Sequence, residues 1–422
     1  MKNSLKINKK IWYVSIMILM LVFVSTFIAV VSPAQAEKSV SQTAISNYLA
    51  AQANPSLSDT QKIKAAINAY FTARYEGQKT LNAENYSALV STQNGAQEWL
   101  RKEKDRQEIE IFQGKTLGLN YLSYKYTLVY QVVKINANTA SVTLFENNQV
   151  IYAVSAPIVT EMANLKHILS FERGPSGAWK ITSDSYRDEL TQLMEHTSKA
   201  QIEQNIQAEH DFAKNSTLNN LVVRAASKYN SANAVAYAKK WWSFPGNASN
   251  YLPMYNHPPQ RPDLAYGGDC TNYASQVIKA GGGVQDTSGT KKWFYSAGAK
   301  PDNFNDWSTY SDDTRSRSWA YIGNDPPNLY DYLLDTTTDT SGPSAYVYAP
   351  SSLCNMAGGD LIQLSSDGGS SYFHVVVVIS VGSGCTLDGH NVLISGHNVD
   401  RINYPVIAYS GYTKRLLAIS QP

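Results

Sequence analysis

The sequence predicts an α+β protein built in two units, on three observations. Helix-period patterning over residues 59–111 gives way to alternating, β-rich stretches from Tyr121 to Ser183. After Glu209 the chain contains no glutamate, through a region rich in Gly, Ser, Thr, Tyr and Asn. Within that glutamate-free half, helix signals come first and short apolar strands last. A chain of 422 residues has room for two or three domains. Its 43% hydrophobic and 17% charged residues exclude a disordered polyelectrolyte and a polytopic membrane protein.

Residues 1–36 read as an address. Lys2 to Lys10 is a positive stretch, Ile11–Val31 is apolar apart from Ser15, Ser25 and Thr26, and Ala34-Gln35-Ala36 is a small-x-small cleavage pattern. Cleavage near Ala36 is expected, with the alternative of an uncleaved anchor, since this run is long enough to span a bilayer. Either way the rest of the chain is exported. The segment's four lysines also explain the formal charge of +2: without them 32 basic residues face 34 acidic ones. A near-neutral chain has no broad basic face, which argues against nucleic acid as a partner.

Residues 37–58, rich in Ser, Ala, Gln and Asn, read as a flexible leader. The first unit is expected over 59–185. Asp59 is the expected N-cap of a helix burying Ile63, Ile67, Tyr70 and Phe71. Ala83–Val90 and Gln97–Ile111 suggest two more helices. Strands are expected at Tyr121–Ile135, Thr139–Phe145 and Gln149–Val154, then a hairpin of His167–Arg173 with Ala178–Ser183. This order of elements resembles the cone-shaped fold of the nuclear transport factor 2-like superfamily. His167 has no nucleophile beside it and reads as a satisfied histidine. Residues 186–221 read as a charged helical connector.

The second unit, 222–422, carries the chemistry. Asn233–Trp242 is a strong helix former. Gly267-Gly268-Asp269 precedes an amphipathic run from Cys270, stopped by Gly281-Gly282-Gly283, so Asp269 is the expected N-cap and Cys270 falls in the first turn. The helix dipole and unpaired N–H groups there stabilise a thiolate and could form an oxyanion hole. Gly359–Leu364, Phe373–Ser380 and Asn391–Asn398 read as strands. His374 leads the second, a place from which a general base can face a groove, and Asn398, His397 or Asp400 could orient it. Without glutamate, H-E-x-x-H zinc chemistry and Glu-based hydrolysis are excluded from this half. Zinc held by Cys270, His374 and His397 or Asp400 would lack any short-spaced ligand pair. No metal and no cofactor are expected. Cys354 and Cys385 could pair, leaving Cys270 as the reactive thiol. Trp293, Trp307 and Trp319 lie in a long loop-rich stretch, as a substrate flap or as core. Asp312-Asp313 reads as a solvated pair.

The Asn233–Trp242 helix, the Asp269-Cys270-Thr271-Asn272-Tyr273-Ala274-Ser275-Gln276 segment, Gly359-Asp360 and the His374 strand together resemble the amidase domain of exported Gram-positive bacterial proteins. That domain belongs to the papain-like NlpC/P60 and CHAP group. The resemblance covers about residues 222–422 and implies a helix packed on an antiparallel sheet. It also implies cleavage of amide bonds in peptidoglycan or related peptides, in a secreted, wall-associated enzyme. Cys270 maps onto the nucleophile, His374 onto the base and Asn398 onto the third member, with His397 as the alternative. Gly396-His397-Asn398 stands where CHAP domains commonly have Glu-x-Asn, so the Asn is kept and the Glu is absent. Two other functions are open: a silent wall-binding module, or a transpeptidase using the same thiol. Sequence does not read the oligomeric state or the bond cleaved.

Overall fold

A computed structural model describes residues 39–216, 227–243, 270–287, 291–294, 317–320, 322, 328–335 and 342–421. The export segment, Asp269, Trp307, Asp312 and Asp313 lie outside the described residues.

Helices come first. Residues 40–53, expected as a flexible leader, form α1 (Val40–Ala53), closed by a capping box between Ser39 and Gln42. Its anchor is Tyr48, fully buried and donating to the Trp179 carbonyl. A second capping box, Ser58 with Gln61, starts α2 (Asp59–Thr80). Asp59 is therefore the first helical residue and not the N-cap; its carboxylate accepts from the Trp179 indole instead. The helix expected at 83–90 is a set of turns, in which Val90 pairs as a single bridge with Ile181. The charged helix is longer than its pattern suggested: α3 spans Asn94–Leu117 and ends on Gly118 at φ 71°, a left-handed conformation that glycine adopts without strain.

Four strands follow: β1 (Tyr121–Asn136), β2 (Thr139–Tyr152), β3 (Thr160–Arg173) and β4 (Trp179–Ser185). The two segments expected at 139–145 and 149–154 are one strand, β2. The connector is helical, α4 (Glu189–His196) and α5 (Lys199–Asn215), with Leu193, Ile202 and Ile206 buried. The second half contributes α6 (Ser231–Trp241), α7 (Cys270–Ala280), α8 (Arg317–Ala320), α9 (Leu329–Leu333) and six short strands. These are β5 (Ser344–Tyr348), β6 (Leu361–Ser365), β7 (His374–Val381), β8 (Val392–Gly396), β9 (Asp400–Pro405) and β10 (Thr413–Ser420).

The two halves share one antiparallel sheet, ordered β1-β2-β3-β9-β8-β7-β6-β10-β5, with β4 also on β3. The join is β3, whose early residues pair with β9 (Met162 with Arg401) and whose late residues pair with β4. Side chains alternate across a strand, so the second half of the sheet buries two faces. Val375, Val377 and Ile379 pack with α6, α7 and α9; Val376 and Val378 pack with α4, α5 and the turn at 406–409. Trp293 and Trp319 are fully buried in the first of these layers, their tilted rings 4.7 Å apart, so they are core. A disulfide joins Cys354 and Cys385.

Candidate active site

Helix α7 carries Cys270 as its first residue, with the side chain buried at 3% exposure. Two contacts fix how the helix lies. At its C-terminal end, Gly281 lies against Tyr229, whose hydroxyl donates to the Gly359 carbonyl, and Gly359 in turn donates to Val378. In its middle, Tyr273 stacks on His397 with ring centroids 4.0 Å apart, and its hydroxyl bridges Ser395 and the Ala238 carbonyl. The N-terminus therefore points to the end of the sheet where β7 begins with His374 and β8 runs out into His397.

At that end one row of side chains crosses the face beneath α7. Gln363 on β6 is the cross-strand partner of Val375 on β7. The β7–β8 register pairs Val377 with Ser395, two residues before His397, whose ring lies on the same face against Tyr273. On the other side Arg415 of β10 pairs with Gln363 and donates to its side-chain oxygen at 3.1 Å. The Arg415 guanidinium is itself held between the rings of Tyr330 and Tyr372, 3.6 Å from each centroid. Cys270 thus shares a face and an end of the sheet with His397 and Gln363.

His397 is oriented from the backbone. Its Nε2 lies 2.6 Å from the Trp241 carbonyl. A carbonyl only accepts, so Nε2 carries the proton, and in the neutral ring Nδ1 holds the lone pair. Asn398 follows at φ 97°, half-buried, just past the strand end.

His374 takes the opposite face. It is cross-strand partner to Leu364, which packs with Val376 and Val378 beneath α4 and α5. Its Nε2 is 3.5 Å from Oε1 of Glu189, the first residue of α4. Arg401 salt-bridges the other oxygen of Glu189 at 2.8 Å, and Tyr409 donates to the first. Burial pushes the His374 pKa down to about 4; Glu189 opposes this, while Arg401 and His397 add to it. At neutral pH the ring is uncharged and weakly basic. The structure therefore brings Cys270 and His397 to one face and His374 to the other. The sequence offered no parity signal here, because β7 is apolar on both faces.

The last 213 residues hold no glutamate, yet one reaches their sheet from the connector, as Glu189. The sequence reading also missed Gln363, which a parity count from Leu361, packed in the α7 layer, would have turned toward α7. Among the described residues no group of three or more His, Cys, Asp or Glu is arranged to hold a metal ion.

Residues 228–419 match the model of a family described as "Putative amidase domain". No curated protein matches the chain significantly. Among solved structures, the Kfla4162 protein from Kribbella flavida aligns over 32% of this chain and 97% of its own, at 12% identity and a TM-score of 0.22.

Proposed function

We propose that this chain is an exported cysteine amidase that hydrolyses amide bonds of cell-wall peptidoglycan. The match of residues 228–419 to an amidase family supports amide hydrolysis. The observation that carries the rest is Cys270 heading a helix on the same face and end of the sheet as His397. The peptidoglycan substrate and the location outside the cell rest on the residue resemblance and on the apolar segment before Ala36.

In this reading Nδ1 of His397 takes the thiol proton and Cys270 sulfur attacks the amide carbonyl. His397 then protonates the departing amine as the C–N bond breaks, and water hydrolyses the thioester. The Trp241 carbonyl and the Tyr273 ring hold the His397 imidazole in one tautomer and one plane, whereas the sequence reading had Asn398 orient His374. The sequence reading gave the base to His374; its burial against Glu189 and its depressed basicity favour a structural task at the joint of the two halves.

The test is a pair of substitutions, His397→Ala and His374→Ala, assayed for amino groups released from purified peptidoglycan. A general base is worth roughly 10²- to 10⁴-fold in rate. His397→Ala is expected to lose that much, and His374→Ala less than about tenfold while folded. The reverse ranking would return the base to His374.

A further inference from the structure

Gln363 is fully buried, and its side-chain nitrogen has no hydrogen-bond partner. The orientation of the amide is fixed by chemistry. Arg415 can only donate, so the oxygen of Gln363 faces Arg415 and the NH₂ group faces away. Arg415 is gripped between Tyr330 and Tyr372, so the amide is held rigidly. A rigid, buried donor with nothing to donate to is costly, and such a group calls for an explanation.

Its place in the row supplies one. Helix α7 packs chiefly on β7 and less on β8. Val375 of β7 has Gln363 as its cross-strand partner on one flank, and on the other flank β8, paired through Val377 and Ser395, runs on into His397. The thiol above this row thus has a base on the β8 side and an unpaired N–H donor on the β6 side.

Resting on the reading of Cys270 as nucleophile, we infer that the side-chain amide of Gln363 is an oxyanion donor in the reaction. As the Cys270 sulfur–carbon bond forms, the carbonyl π pair moves onto oxygen and the thiol proton passes to His397. The Gln363 N–H groups, with backbone N–H groups of the first turn of α7, receive the negative oxygen. When the tetrahedral species collapses, that electron pair re-forms the carbonyl, the C–N bond breaks, and the amine leaves with the proton from His397. Donors aimed at a charge present only in the transition state raise kcat rather than tighten substrate binding.

The experiment compares wild type, Gln363→Ala, Gln363→Glu and Cys270→Ala over residues 37–422. All four are assayed for amine release from purified peptidoglycan, and wild type and the two Gln363 variants also for the rate of Cys270 alkylation by iodoacetamide. Gln363→Glu keeps an oxygen toward Arg415 and removes the N–H donors, so it serves if the alanine variant melts early. The expected result is a kcat lower by roughly 10²- to 10³-fold in both Gln363 variants, with KM within a few-fold. Alkylation should stay within twofold of wild type, because it builds no oxyanion. Folded Gln363 variants with wild-type kcat, beside a silent Cys270→Ala, would overturn the inference and leave the nucleophile standing. Alkylation falling in step with activity would overturn it in favour of a positioning role. An active Cys270→Ala, or a silent wild type, would remove the underlying reading as well.

Discussion

Two buried histidines set opposite limits on the pH range of the fold. His167 lies between Asp184 and Glu146, at 2.8 and 3.0 Å. Burial alone would lower its pKa, but the two carboxylates outweigh burial and raise it to about 9, above its unfolded value near 6.5. Its contribution is therefore fully present below pH 6.5 and is lost as pH rises through 9. For His374 the sign is reversed, because its folded value is near 4. Between pH 6.5 and 4 the unfolded chain binds a proton that the folded chain refuses, so stability falls as pH falls. Each shift corresponds to on the order of 3 kcal/mol. Stability is expected to peak near pH 6.5 in denaturant titrations. His167→Gln should flatten the alkaline limb and His374→Gln the acid limb. Unchanged limbs in the folded variants would contradict these assignments.

Helix α7 depends on neighbours remote in sequence. The Trp319 indole donates to Asn272 at 2.8 Å, and its carbonyl accepts from Ser275, which also accepts from the Trp293 indole. Trp319→Ala removes a fully buried ring and one of the hydrogen bonds that Asn272 accepts, the one from Gln276 remaining. A cost of about 3–5 kcal/mol is expected, together with a changed Cys270 alkylation rate. A melting temperature within 2 °C of wild type, by calorimetry, would contradict that role. At this scale much was legible. Two glycine-flanked signals bracketed α7, and β6, β7 and β8 fell within one or two residues of their apolar runs. Tertiary contacts decided what local pattern did not. Helix α1 forms because Tyr48 finds Trp179, and residues 83–90 fail to form a helix because Val90 pairs with Ile181. The face taken by His374 follows from strand parity, which an all-apolar strand conceals.

The whole molecule is tied together more tightly than a change in composition suggested. The shift after Glu209 implied two separate units, yet β3 pairs with β9. Thr160 donates to the Asn403 carbonyl, Asn164 donates to Asp400, and Glu189 reaches both His374 and Arg401. Residues 222–422 alone would expose the β9 edge and the apolar face covered by α4 and α5. That fragment is expected to aggregate or melt at least 10 °C below the chain 37–422. A soluble monomer of equal melting temperature would refute the dependence.

The central claim is a cysteine-dependent amidase, and the most direct measurement compares residues 37–422 with their Cys270→Ala variant on purified peptidoglycan under reducing conditions. Newly released amino groups are followed and the fragments identified by mass. Release by wild type and none by the folded variant is the predicted result, with the fragment masses naming the bond. Equal release from both would contradict it.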